Sequence, residues 1–282
     1  FLMSRAVIRD ISTDEHESAS LIGYVAMGMA LIPLFAPMIG GIIDTTFGWR
    51  FIFVFMAIIG FTLLIILFFD QGETKRFDKF NPSISLKAHL ILFKSRKFWG
   101  YSMTLAFSSG CFFSFLGGAS YVASEVHSLN SIVAGLFIGF PAIGYFTGNY
   151  ISGKYSKQKG TSFMIKFGCL NIIFGMSLSF ILGLIFSPNP YIFFGLCTFV
   201  GSGCGLIIPN ATAGILSVNV NLSGTAGGVG NAIMIGVGAA LATISSAVLE
   251  GGDSSAPLQL VMLVSSILAI VFFHLLLNRK DS

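Results

Sequence analysis

Along the chain, apolar runs of about 20 residues alternate with shorter polar breaks, and within the runs apolar positions are continuous rather than alternating. Eight such runs are legible: about Ser18–Ile43, Phe51–Phe69, Phe98–Val122, Ile132–Ile151, Phe167–Phe186, Tyr191–Ala213, Gly224–Leu249 and Leu258–Leu277. A run of about 20 residues crosses a hydrocarbon core of about 30 Å as a helix. A membrane β-barrel would need alternating strands of about ten residues, so helices are the spanning structure that remains. The pattern predicts an all-α, polytopic helical membrane protein with eight visible spans.

Composition agrees: 54% of residues are hydrophobic, 14% aromatic and only 10% charged, with a mean hydropathy of +0.85. A soluble domain carries about 25% charged residues. Charge then orients the spans, because loops rich in Lys and Arg stay in the cytoplasm. Of the sixteen Lys and Arg residues, all but Arg50 fall on the side that holds both chain ends, the segment Asp70–Lys97 and an expected loop at Ser152–Lys166. That side is expected to be the cytoplasm. The net charge of +4 therefore reports topology, and nucleic acid is not an expected partner. The four cysteines, Cys111, Cys169, Cys197 and Cys204, lie inside predicted spans with no CxxC pair. No metal or other cofactor is expected. HExxH, GxSxG and GxxxxGK[ST] are absent and the four histidines are scattered, which argues against an enzyme.

The polar segment Asp70–Lys97 carries seven basic residues and divides the spans two and six. Within it, "SLKAHLILFKS" puts Leu86, Leu90 and Phe93 on one face, as in a short helix lying on the membrane surface, with a solvated loop as the alternative. The opening "FLMSRAVIRDISTDEHES" lacks an initiator Met, and the expectation is that the chain starts inside something longer, with Met3 the alternative start.

"LIPLFAPMIGGIIDTTFGWR" (Leu31–Arg50) places helix-breaking residues in an apolar run. Proline removes a backbone donor and kinks a helix, and in lipid the freed carbonyl must be satisfied by neighbouring protein. Pro33 and Pro37 thus imply burial, and Ala36/Gly40 and Pro37/Gly41, each four residues apart, suggest a groove where another helix approaches closely. Asp44 is read as an interfacial residue near Trp49 and Arg50, Glu125 lies just beyond the third span, and His274 is read as interfacial.

"APMIGGIIDTTFGWRFIF" resembles the fifth-helix antiporter motif of the major facilitator superfamily, with Pro37, Gly40 and Gly41 matching and Ala36 in place of the usual first glycine. "RAVIRD" (Arg5–Asp10), "GNYISGKYSKQKG" (Gly148–Gly160) and "IIPNATAGILSVNVNLSGTAGGVGNA" (Ile207–Ala232) resemble segments of its drug:proton antiporters, in particular the bicyclomycin/chloramphenicol resistance (Bcr/CflA) group. The resemblance implies twelve helices in two halves. Residues 1–69 would hold the end of helix four and helices five and six, 70–97 the cytoplasmic linker, and 98–282 the second six-helix bundle.

It further implies a monomeric multi-pass protein of the bacterial inner membrane that exports small amphipathic drugs or metabolites in exchange for protons, a multidrug efflux activity conferring antibiotic resistance. An inactive truncated remnant, or a metabolite carrier of the same superfamily, are the alternatives. The coupling acids of the family lie in helices that precede this chain. A substrate wall is expected from Phe112, Phe115 and Tyr121, which offer aromatic surface, and from Tyr145, Asn149, Asn210 and Asn231, which offer polar groups at membrane depth. Gly224, Gly227, Gly228 and Gly230 are expected to give close helix packing.

Overall fold

The computed structural model describes residue 32 and residues 35–70, 91–186, 189–219 and 222–277. Residues 35–47 are helical (α1), followed by α2 (Arg50–Asp70), α3 (Arg96–Tyr121) continued by one π-helical turn (Val122–Val126), α4 (Ser131–Ile138) and α5 (Phe140–Lys159). Then come α6 (Thr161–Ile185), α7 (Pro190–Leu196), α8 (Thr198–Ser217), α9 (Ser223–Leu249) and α10 (Ala256–Leu277). Among the described residues, seven helical stretches are long and apolar enough to cross a bilayer, with α4–α5 and α7–α8 each forming one broken span. The fold is all-α and multi-pass, as the hydropathy pattern predicts. Much of the expected span Ser18–Ile43, including Pro33, and the expected surface-helix residues Leu86 and Leu90 lie outside the described residues.

Local chemistry accounts for the helix starts. The Ser95 hydroxyl accepts from the Phe98 amide at 3.3 Å, the Asn130 side chain from Val133 at 2.9 Å, and Asn189 from Tyr191 at 2.9 Å ahead of Pro190. Each satisfies a donor that the first turn leaves free. The break between α4 and α5 falls at Gly139, directly before Phe140 and Pro141, where proline is tolerated because the first turn needs no amide donor.

One boundary differs from expectation. The residues Ser152–Lys166 are not a loop: α5 runs to Lys159 and α6 begins at Thr161. Gly160 alone makes the turn, with φ at +82°, a left-handed conformation that favours glycine. The basic residues Lys154, Lys157, Lys159 and Lys166 therefore sit on helix ends, along with Arg96 and Lys97 at the start of α3. Arg96 donates to the Leu275 carbonyl and ties the start of α3 to the end of α10.

Helices α3 to α10 form one bundle in which α3 packs on α8, α9 and α10, α8 on α5 and α6, and α6 on α10. In lipid there is no hydrophobic drive between helices, so close packing must supply the attraction. At the α5–α8 crossing, Gly144 and Gly148 face Gly201 and Gly205, and a Cβ on Gly205 would lie 2.6 Å from the Tyr145 carbonyl oxygen. These glycines set a backbone-to-backbone approach. Near the end of the bundle away from the lysines, Phe115, Phe193 and Phe194 form an aromatic centre, with Phe193 and Phe194 rings 4.9 Å apart and edge to face.

Candidate functional site

The segment of prolines and glycines lies against α4. Pro37, Gly41 and Asp44, one turn apart along α1, form the contact. A side chain on Gly41 would fall on the Ser131 carbonyl, and one on Gly135 would fall on the Pro37 carbonyl. The Ser131 hydroxyl donates to Asp44 Oδ2 at 2.6 Å, which closes the contact at the end opposite the lysines. Of the two expected pairs only Pro37/Gly41 faces α4. Among the described residues Gly40 meets nothing within 4 Å and Ala36 is exposed. The pairs are offset by one residue, about 100° around a helix, so spacing alone does not choose between them. Asp44 meets Ser131 of α4, while Arg50 stacks over the Trp49 ring at 4.7 Å.

The expected substrate wall divides in two. Phe115 is 0% exposed and its ring packs 6.1 Å from Phe194 and 6.4 Å from Phe193. It is a core residue that offers a ligand no surface. Asn210 is 3% exposed and its amide donates to Ser152 Oγ and to the Leu206 carbonyl, each at 2.7 Å. It clamps α8 to α5 and its donors are occupied. Tyr121 is half-buried, and its hydroxyl donates to the Gly252 carbonyl at 3.1 Å, fastening α3 to the α9–α10 connection.

Phe112 is half-buried and stacked on Phe115 at 6.3 Å. Tyr145 and Asn149 are half-buried one turn apart on α5, with Asn149 donating to the Tyr145 carbonyl at 2.8 Å. Asn231 is half-buried on α9. Of the four glycines at the start of α9, Gly227 and Gly230 would each place a Cβ 3.0 Å from an α8 side chain, Leu216 and Ile215. Gly224 and Gly228 meet nothing within 4 Å among the described residues, so the α8–α9 packing uses two of the four.

Sequence reasoning passed over two polar clamps. Asn171 donates to the Phe199 carbonyl at 3.0 Å and to Ser202 Oγ at 2.7 Å, joining α6 to α8. Gln259, 2% exposed, donates to Ser179 Oγ at 2.9 Å, joining α10 to α6. The available signal was an amide side chain in the middle of an apolar run, which costs free energy unless it is hydrogen-bonded.

A bundle of membrane-spanning helices with broken spans and polar positions at membrane depth is an architecture that membrane transporters use. Residues 1–243 match the Major Facilitator Superfamily, and the chain belongs to that family of transporters. It is 24% identical to the bicyclomycin resistance protein homolog of Haemophilus influenzae over 285 residues, which cover 99% of this chain and 70% of that protein. It is 26% identical to multidrug resistance protein D of Escherichia coli over 283 residues, again 99% of this chain and 70% of the relative. Against the chloramphenicol resistance protein of Pseudomonas aeruginosa identity is 24%, covering 78% of this chain and 52% of that protein. The chain thus spans between about half and seven-tenths of the length of these relatives.

Proposed function

We propose that the protein to which this chain belongs exports small amphipathic drugs or metabolites across the bacterial inner membrane in exchange for protons, acting as a monomer with both chain ends in the cytoplasm. The reading rests on relatives named for resistance to bicyclomycin and to multiple drugs, each aligned with 99% of this chain. In this reading Phe112, Tyr145, Asn149 and Asn231 belong to the second-half substrate wall. The α1–α4 contact, closed by Asp44 and Ser131, seals the outer end of the passage and opens when the halves rock.

Coupling to protons needs a site whose proton affinity changes with conformation. Burial raises a carboxylate pKa toward ambient pH. Among the described residues the acids are Asp44, Asp70, Glu125, Glu250 and Asp253, all at span ends or in connections. The remaining acids of the chain fall in polar segments of the sequence, and this reading assigns the coupling carboxylate to the part of the relatives' length that this chain does not span.

The test is drug accumulation in efflux-deficient bacteria expressing the complete protein. Chloramphenicol or a lipophilic dye should accumulate less than in control cells, and a protonophore should restore accumulation. Unchanged accumulation of every drug tried, with a metabolite gradient appearing instead, would favour the metabolite carrier.

A further inference from the structure

A small, partly open cavity lies at the end of the α3–α10 bundle away from the lysines and apart from the substrate wall. It is lined by His127, Ser179, Asn189, Ser255 and Gln259 together with apolar side chains of α6 and α7. Two backbone features flank His127 in its wall. The π-helical turn Val122–Val126 shifts the backbone register, with the His127 amide bonded to the Val122 carbonyl at 3.1 Å. Ser128 then takes φ of +51°, the one non-glycine residue with positive φ among those described. The imidazole comes to rest 6.4 Å from the Phe194 ring, and its buried Nε2 has no partner among the described residues.

Opposite it, the Gln259 amide is fixed in one orientation. Its nitrogen lies 2.9 Å from Ser179 Oγ and 3.3 Å from the Ser179 carbonyl oxygen. The carbonyl can only accept, so the nitrogen must face it. Oε1 is left without a donor among the described residues. The wall beside it is Gly183, where an added Cβ would come within 3.6 Å of Oε1. The cavity leaves about 20 Å³ for the centre of a water-sized sphere. One water needs roughly 10–15 Å³ by that measure and two to four polar partners.

We infer that this cavity is a binding site for a single water molecule, hydrogen-bonded to His127 Nε2 and Gln259 Oε1. The water joins the π turn after α3 to α10, whose Gln259 is itself held by Ser179 of α6. Neutral imidazole with its proton on Nδ1 and the amide oxygen are both acceptors, so a water donating one O–H to each satisfies both. An ammonium ion has nearly the same size and also donates, but its charge would lie in a site with no carboxylate among its lining residues.

The test is a map of the purified protein at about 2 Å resolution, paired with thermal unfolding in ammonium and in sodium salts of equal ionic strength. The expected result is one density peak within hydrogen-bond distance of both atoms, absent in Gln259→Met, with no difference between the two salts. If Gln259→Met does not fold, the wild-type map and the salt comparison decide alone. A dry cavity, density larger than one oxygen atom, or stabilisation that saturates with ammonium and not with sodium would each overturn the assignment.

Discussion

Ser131 Oγ lies 2.6 Å from Asp44 Oδ2, a bond between residues 87 apart that joins α1 to the first turn of α4. The carboxylate also sits at the N-terminal end of that helix, where a negative charge is favoured. A hydrogen bond to a charged group contributes about 1.5–3 kcal/mol. Ser131→Ala should remove that contribution while leaving the backbone contact through Gly41 and Gly135. The expected outcome is a larger population open on the Asp44 side, read as faster modification of a cysteine placed at Ile132 in the complete protein. Unchanged modification would show that the bond does not hold the contact shut.

The same contact distinguishes two adjacent glycines. A Cβ on Gly41 meets the Ser131 backbone, which cannot swing aside as a flexible side chain would, whereas a Cβ on Gly40 meets nothing within 4 Å among the described residues. Gly41→Ala should reduce efflux by the complete protein several-fold, and Gly40→Ala should leave it near wild type. Equal loss from both would contradict the assignment of the contact face to Pro37, Gly41 and Asp44.

Much of this architecture was legible from hydropathy, because lipid demands helices with satisfied backbones and leaves the runs long and unbroken. What a linear pattern could not resolve was rotation about each helix axis. Pro37/Gly41 and Ala36/Gly40 read alike until α4 covers one of them. For the same reason Phe115 and Phe112 look equivalent as aromatic wall residues, although Phe115 is fully buried with Phe193 and Phe194 of α7 against it and Phe112 is half-covered. Asn210 is polar at membrane depth, and that polarity is spent on Ser152 in the neighbouring helix. The Gly144/Gly148 and Gly201/Gly205 spacings were there to be read as a helix crossing. Their pairing with each other emerges only when α5 and α8 lie side by side.

That crossing gives a stability prediction. A Cβ on Gly201 would fall on the Pro141 carbonyl and within 2.8 Å of the Tyr145 amide nitrogen, while Gly153 and Gly195 have nothing within 4 Å. Overpacking of a close contact costs about 1–3 kcal/mol. Gly201→Ala should lower the unfolding temperature in detergent by several degrees. Gly153→Ala, on the same α5 helix, should hold or raise it, since alanine is the better helix former.

Orientation can be checked with thiols, because the four natural cysteines are all buried and give little background. Ser254 is exposed in the α9–α10 connection, and Lys157 is exposed at the opposite end of α5. With the lysines in the cytoplasm, Ser254→Cys should react with an impermeant maleimide added to intact cells and Lys157→Cys only after the membrane is broken. The reverse pattern would overturn the positive-inside orientation.

Burial also pushes the His127 imidazole below its ordinary value of 6.5. The fold therefore favours neutral His127, and the unfolded chain takes up a proton at higher pH than the folded one. Stability from this residue is present above the ordinary value and is lost as pH falls through it toward the lowered folded-state pKa. The nearby acids are Glu125, one of whose oxygens accepts from Ser124, and Glu250 and Asp253 in the α9–α10 connection. All three are exposed and none lines the cavity. They do not offset the burial of a charged imidazole. Unfolding temperature should fall between about pH 7 and pH 5, and the fall should be smaller in His127→Gln, which keeps a polar group at the cavity without a titrating proton. Equal slopes in the two proteins would mean that acid acts elsewhere, and a steeper slope in His127→Gln would reverse the sign argued here.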